Sequence, residues 1–309
     1  MTRSIRIGTR QSELATWQAK QVATLLANHG FTSELIFVKS EGDIDLQTPL
    51  YEIGVQGIFT RTLDIALLAN KIDIAVHSMK DVPTQLPAGI SQSAVLERAS
   101  WKDLLVLHDS HADAAFMRDR YTDAVIATSS IRRRAQWLHH FPNHQLVNLR
   151  GNINTRLSKV HDSDWNGAIF AAAGVDRINI RPANSLELDW MLPAPAQGAI
   201  MVVGRTGDEF IMETCAVLNH ADTQLCTKIE RDFLRQLMGG CATPIAAVCE
   251  VSGDTVLLKG NILSPDGSKK AVIEKQMARE VAVELGIIAG KEIMVNGGRE
   301  IMDSLVTAI

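Results

Sequence analysis

The sequence predicts an α/β protein: two doubly wound lobes followed by a small α+β domain at the C-terminus. Three observations carry that reading. The first hundred or so residues follow a βαβαβ order, which implies a largely parallel sheet with helices on its faces. The middle of the chain repeats the theme. The last ninety residues change pattern, with a block of strands followed by helices.

The elements follow in order. Ile5 to Gly8 reads as a first strand. Ser12 caps a helix whose apolar positions Leu14, Trp17, Val22, Leu25 and Leu26 recur near helical spacing, and Gly30 ends it. Glu34 to Lys39 reads as a strand, Phe59 to Asn70 as a helix, and Ile72 to Val76 as a short buried strand. Leu104 to Leu107, Ala124 to Thr128, Gln145 to Leu149 and Ala168 to Ala172 are the strands of the second lobe. Ile131 to Phe141 and Asn152 to Val160 are its clear helices. Gln197 to Val203 is one more strand. A helix from Thr223 to Leu237 then precedes strands near Ile245–Val251, Val256–Ile262 and Lys270–Lys275, and two helices close the chain. The expected domains are 1–98 with 198–217, then 99–197, then 218–309. No internal repeat or low-complexity segment interrupts this order.

Composition narrows the function classes. The chain has 309 residues, 46% hydrophobic and 21% charged, with a net charge of −4. That is an ordinary globular balance, which argues against disorder and against a general nucleic-acid binder. No run approaches the ~20 apolar residues of a membrane span. The start, Met1 to Arg6, lacks the apolar stretch of a secretory signal, so a cytoplasmic protein is expected. The four cysteines, Cys215, Cys226, Cys241 and Cys249, form no C-x-x-C pair and have no histidine at finger spacing. No metal site is expected from them. Cys215, Cys226 and Cys249 read as small buried apolar side chains.

Ligands of open α/β sheets sit beyond the carboxyl ends of the strands. Here those positions are unusually rich in cations and hydroxyls. Thr9 to Ser12 follow the first strand, and His77 to Asp81 follow the run Ile72–Val76. Thr128, Ser129, Ser130, Arg132, Arg133 and Arg134 follow Ala124–Ala127. Arg150 and Arg156 come after Gln145–Leu149, and Arg177 comes after the next strand. Arginine grips a carboxylate or phosphate bidentately, and hydroxyls with helix N-termini add further donors. The ligand is therefore expected to carry several anionic groups. Any one of these arginines is equally readable as a solvated surface charge; the set is not. Asp81 is an acid among these cations. An ion pair, a helix cap and a carboxylate opposing a developing cation all remain open for it.

These residues resemble a known family. His77-Ser78-Met79-Lys80-Asp81-Val82-Pro83 is similar to the signature of the porphobilinogen deaminases (hydroxymethylbilane synthases). Gly8-Thr9-Arg10-Gln11-Ser12, Gly42-Asp43 with Thr48-Pro49-Leu50, and Thr128-Ser129-Ser130-Ile131-Arg132-Arg133 resemble further family segments. So do Asn148-Leu149-Arg150-Gly151-Asn152 with Thr155-Arg156-Leu157, Ala171-Ala172-Ala173-Gly174 with Arg177, and Leu192 to Gly198. Gly239-Gly240-Cys241 with Pro244-Ile245 looks like the family's cofactor-attachment loop. The motifs come in order over nearly the whole chain.

The resemblance implies a transferase of porphyrin and heme biosynthesis. Such an enzyme joins four porphobilinogen molecules head to tail, releases ammonia at each step and yields the linear tetrapyrrole hydroxymethylbilane. It implies a dipyrromethane cofactor held by a thioether to Cys241. By motif match, Ser78, Lys80, Asp81, Thr128, Ser129, Ser130, Arg132 and Arg133 would contact that cofactor. Arg10, Ser12, Arg150, Arg156, Arg177 and Gln197 would contact the substrate and growing chain. Each pyrrole carries an acetate and a propionate, which accounts for the cations. Asp81 would be catalytic, opposing the cationic azafulvene left when ammonia departs. The implied enzyme is a monomer acting on a small molecule, with no nucleic-acid or membrane partner. One segment departs from the family: Gln56 and Glu52 stand where many members carry lysine, while Arg61 retains one cation nearby.

Two other function classes compete with this one. A reversible anion-binding protein is suggested by the resemblance of the two lobes to periplasmic binding proteins. It would need neither Cys241 nor Asp81. Nucleic-acid binding through Arg132-Arg133-Arg134 is disfavoured by the acidic total and by only 5% aromatic residues for base stacking.

Overall fold

The computed structural model describes residues 3–39, 60–237 and 243–306. In chain order it begins β1 (Ile5–Thr9), α1 (Glu13–Asn28), β2 (Ser33–Phe37), α2 (Arg61–Leu68), β3 (Ile74–Ser78) and β4 (Ile90–Val95). It continues β5 (Asp103–Leu107), β6 (Val125–Ala127), α3 (Ile131–His140), β7 (Gln145–Val147), α4 (Ile153–His161), β8 (Gly167–Ala171), α5 (Ala172–Arg177) and β9 (Ser185–Glu187). The remainder is β10 (Ile200–Arg205), α6 (Glu209–Ala216), α7 (Ala221–Gln236), β11 (Ile245–Ser252), β12 (Thr255–Leu263), β13 (Lys270–Ala278), α8 (Leu285–Ile293) and α9 (Arg299–Val306). The described residues form two compact units, 3–39 with 60–99 and 197–225, and 100–196 with 226–237 and 243–306.

The first unit is built on a five-stranded sheet of order β2-β1-β3-β10-β4. Strands β2, β1 and β3 are parallel; β10 runs antiparallel to both β3 and β4. Alternating residues Ile5, Ile7, Ile74, Val76, Ile200 and Val202 face Ala19, Val22 and Leu26 of α1 and Ile211 and Cys215 of α6. Helix α1 starts where expected, with Ser12 Oγ accepting from Ala15 N–H at 3.3 Å. It ends at Gly30, whose φ of +83° suits glycine. Its buried stripe is Ala15, Gln18, Ala19, Val22 and Leu26. Trp17 and Leu25 only flank that core.

The second unit contains a five-stranded sheet, β7-β6-β8-β5-β9, and a three-stranded antiparallel sheet, β11-β12-β13. In the larger sheet β5 is antiparallel to both of its neighbours. Apolar clusters fill both faces, one around Trp137, Phe141 and Ile169, the other around Val106, Phe170 and Val175. Residues Ile245 to Cys249 of β11 are buried without alternation, as in a strand covered on both sides. Cys215, Cys226 and Cys249 are buried, as their apolar character predicts.

Three expectations need correction. The sheets are mixed rather than largely parallel. Strand β10 pairs with β3 and β4, which lie more than a hundred residues earlier, so the local βαβ order does not set its direction. Alternation of apolar residues reports burial, not strand direction. The strand expected at Ile72–Val76 lies at Ile74–Ser78, so His77 and Ser78 pair with Met201 and Ile200. Apolar sequence ends at Val76, but the hydrogen-bond ladder to β10 continues two residues further. Strand β4 was not foreseen, because its segment Ile90-Ser91-Gln92-Ser93 is polar at the edge of the sheet.

Helix packing in the second unit depends on small residues. A Cβ on Gly286 of α8 would fall inside the van der Waals envelope of Ile229 O of α7. A Cβ on Gly260 of β12 would meet the Phe233 ring at 2.7 Å. Gly286→Ala is expected to lower unfolding free energy by about 3 kcal/mol, because backbone cannot yield as a side-chain tip can. Urea denaturation measures it, and an unchanged midpoint would remove the close-approach argument.

Candidate functional site

In the first unit the carboxyl ends of β1 and β3 lie side by side. Arg10 follows β1 directly, and Ser12 caps α1. The buried turn after β3 is anchored by Met79, whose N–H donates to Ala199 O at 3.0 Å and whose carbonyl accepts from Val82 N–H at 3.1 Å. That anchor presents Lys80 and Asp81 as the partly exposed residues of a single 3₁₀ turn. Lys80 Nζ donates to Gln197 Oε1 at 3.3 Å. Gln18 Nε2 donates to Ser78 Oγ at 2.9 Å. A cavity of about 80 Å³ is lined by Arg10, Ser12, Gln18, Thr60, His77, Ser78 and Asp81 among others. Lys80 and Gln197 are not in its wall.

Three polar lining residues, Gln18, Thr60 and His77, carry no site role in the sequence reading. Gln18 carried a signal: it is a polar residue on the buried stripe of α1, where period alone calls for an apolar side chain. His77 is buried, and its Nε2 has no hydrogen-bond partner among the described residues. Burial, then the nearby positive charge of Arg10, pushes its pKa down to about 4, so the imidazole is neutral at pH 7.

In the second unit the centre is Asp103, a fully buried carboxylate at the start of β5. Its Oδ2 accepts from Arg132 Nη1 at 2.8 Å. Its Oδ1 accepts from Arg133 Nη2 at 2.7 Å and Nε at 3.2 Å. Arg132 also donates to Leu192 O at 2.6 Å and Arg133 to Ile169 O at 2.8 Å. Burial alone would raise the Asp103 pKa; the two guanidiniums overcome it and hold the carboxyl far below its ordinary range. Sequence reasoning did not single out Asp103, since an acid at a strand start has no local signature.

The hydroxyls of this unit are tied to backbone. Ser130 caps α3, its Oγ accepting from Arg133 N–H at 3.4 Å. Ser129 Oγ both accepts from Leu149 N–H and donates to Leu149 O, each at 2.9 Å. Thr128 Oγ1 accepts from Ser130 N–H at 3.3 Å. Arg150 is buried after β7, and Arg156 Nε donates to Gly151 O at 2.7 Å. Arg177 ends α5, where burial lowers its pKa to about 10, still charged at pH 7. Cys241, Glu52 and Gln56 lie outside the described residues.

Chemically, each unit offers donors to anions. The Arg132–Asp103–Arg133 group keeps a net charge of +1, by two cations and one anion. Arg132 Nε is buried with no hydrogen-bond partner among the described residues, so this group fits a further acceptor such as a ligand carboxylate. A second ionic cluster is structural. Asp73, buried at the opposite end of β3, takes Arg6 bidentately at 2.9 Å and also pairs with Arg3 and Arg205.

Two family models match the chain: "Porphobilinogen deaminase, dipyromethane cofactor binding domain" over residues 5–213, and "Porphobilinogen deaminase, C-terminal domain" over 224–295. A porphobilinogen deaminase of Syntrophomonas wolfei is 38% identical over 304 residues, covering 97% of this chain and 98% of the relative. One of Chloroherpeton thalassium is 37% identical over 317 residues, covering 99% of each. Among solved structures, the L-cystine solute receptor of Neisseria gonorrhoeae aligns with a TM-score of 0.41 and 13% identity, covering 70% of this chain and 84% of the receptor.

Asp103→Asn is expected to cost about 3–5 kcal/mol, because it removes the counter-charge of two buried guanidiniums. An unfolded aspartate titrates near ~3.9. The folded value is lower, so the stabilisation is complete above that pH and is lost as pH falls below it toward the folded value. Urea unfolding of both proteins from pH 7 to pH 2 measures this. The variant should lose stability at neutral pH and show a shallower decline in acid; equal stability at pH 7 would contradict the assignment.

Proposed function

The chain belongs to the porphobilinogen deaminase family, and we propose that it builds hydroxymethylbilane with the strand-end residues of its two units. It is a transferase of tetrapyrrole biosynthesis that condenses four porphobilinogen molecules and releases ammonia. The observation that carries the residue assignment is the cavity at the ends of β1 and β3, which combines Arg10 and Ser12 with the carboxylate of Asp81.

Each residue has a role its chemistry supports. Arg10 and Ser12 bind a substrate carboxylate, the first through a charged fork and the second as the hydroxyl of a helix cap. Asp81 accepts from pyrrole N–H groups and stabilises positive charge as ammonia leaves, which is electrostatic catalysis in a preformed site. The same carboxylate is assigned to receive the proton lost from the attacked α-carbon. Ser78 is oriented by Gln18, and Lys80 by Gln197. Arg150, Arg156 and Arg177 are assigned to the carboxylates of the lengthening chain, and Gln197 to the substrate. Thr128, Ser129, Ser130, Arg132 and Arg133 are assigned to the cofactor. Its two pyrroles carry four carboxylates, which the Arg132–Asp103–Arg133 group and the N-terminus of α3 suit in charge and donor type. Cys241 would hold the dipyrromethane, which supplies the pyrrole terminus to be extended.

The separate strand orders of the two sheets in the second unit support a division into 1–98 with 198–217, 99–197 and 218–309. A cytoplasmic setting is proposed, where buried thiols such as those of Cys215 and Cys226 stay reduced. Among the described residues no helix is long and apolar enough to cross a membrane. The exposed large apolar side chains are scattered over both units, which supports a monomer. Sedimentation should give a particle near 33.8 kDa, and a dimer mass would overturn that part.

Intact mass spectrometry tests the function. The purified protein should exceed its sequence mass by one dipyrromethane, and Cys241→Ser should abolish the increment. Absence of both adduct and linear tetrapyrrole product would end this reading. Asp81→Ala should keep the fold and lose at least about a hundredfold in kcat. Turnover near the wild-type rate would remove Asp81 from the centre of catalysis.

A further inference from the structure

The first unit's cavity is lined in part by a buried histidine, His77, that carries an unpartnered ring nitrogen. His77 sits in the fourth position of β3, registered against Met201 of β10. Ile74 and Val76 belong to the core shared with α1, and Ser78 is bonded to Gln18 on that same helix. By strand alternation His77 turns to the other face, toward the start of α2, where Thr60 also lines the cavity. Its ring is buried, yet Nε2 has no partner among the described residues. A buried polar atom left unbonded is destabilising, so such an atom on a residue that lines a cavity points to a ligand.

We propose that His77 is a further substrate-binding residue, whose Nε2–H donates to the carboxylate of a porphobilinogen side chain seated on Arg10 and Ser12. The inference rests on the assignment of that cavity to substrate. The chemistry selects a donor role. Arg10 has no acceptor, and the ligand group drawn to it is an anion with acceptor oxygens only. Asp81, on the same wall, is an acceptor and is left to the pyrrole N–H. Burial and the charge of Arg10 both disfavour an imidazolium, so His77 contributes a hydrogen bond without a second positive charge. A neutral donor also discriminates: it rewards a carboxylate oxygen at one fixed point, where a further arginine would tolerate many positions.

The test uses the cofactor-loaded protein. In wild type, ¹⁵N spectra of the histidine rings at pH 7 should show His77 as the Nε2–H tautomer. Its Nε2 resonance should shift on adding a pyrrole that carries the acetate and propionate but lacks the aminomethyl group. His77→Phe should raise KM about tenfold or more with a smaller change in kcat, as loss of a hydrogen bond to a charged group predicts. His77→Gln, which keeps an N–H donor, should recover most of that loss. An Nδ1–H tautomer, an unmoved Nε2 resonance, or a wild-type KM in His77→Phe would overturn the proposal. If His77→Phe fails to fold, the wild-type ring spectra decide. Failure of this proposal alone leaves wild type making hydroxymethylbilane; failure of the functional reading leaves no product in wild type at all.

Discussion

A single desolvated carboxylate organises the second unit. Asp103 has no exposed surface, and an isolated charge there would be too costly to keep. Its ionisation is sustained by Arg132 and Arg133, which are consecutive residues in the first turn of α3. Those guanidiniums continue to the carbonyls of Leu192 and Ile169, so one ionic group fastens β5, β8, α3 and the segment after β9. The group is also chemically unbalanced in a useful way. Two cations face one anion, and the surplus charge sits on side chains whose rotamers are already fixed. A ligand carboxylate would meet donors that need not be ordered on binding.

The first unit solves the same problem with less charge. Neutral contacts hold several of its site residues: Ser12 at the start of α1, Ser78 against Gln18, and the turn of Lys80 and Asp81 pinned by Met79. Cations are sorted by the ends of the sheet. Arg3, Arg6 and Arg205 converge on Asp73 before β3, whereas Arg10 lies beyond β1 at the end that carries the cavity. Asp73 and Asp208 offset two of the three arginine charges at the Asp73 end, while Arg10 and Lys80 outnumber Asp81 at the other.

Several of the residues proposed to bind ligand, and their neighbours, also brace the fold. Ser12 and Ser130 are helix caps and Asn152 is a third, its Oδ1 accepting from Thr155 N–H at 2.9 Å. A cap satisfies one orphan N–H and leaves others in the same turn facing outward. Hydroxyl-rich motifs at these places therefore follow both from helix initiation and from anion recognition. This double use explains why Ser129, Ser130 and Thr128 look like ligand contacts in the sequence and backbone braces in the structure.

The sequence by itself determined what local chemistry can encode. Alternating and helical periods located most strands and helices, Ser12 and Gly30 bounded α1, and the ordered motifs identified the family. Apolar character alone was enough to bury Cys215, Cys226 and Cys249. Only the tertiary structure decided which way strands run, because pairing direction depends on partners distant in the chain. It extended β3 through His77 and Ser78, since the ladder to β10 outlasts the apolar run. It also supplied the partners: Asp103 lies 29 and 30 residues before the arginines it holds, and Gln18 lies 60 before Ser78. Burial sets the charge of a side chain, and burial belongs to the folded chain. That is why the neutrality of His77 and the ionisation of Asp103 were not legible from residue type.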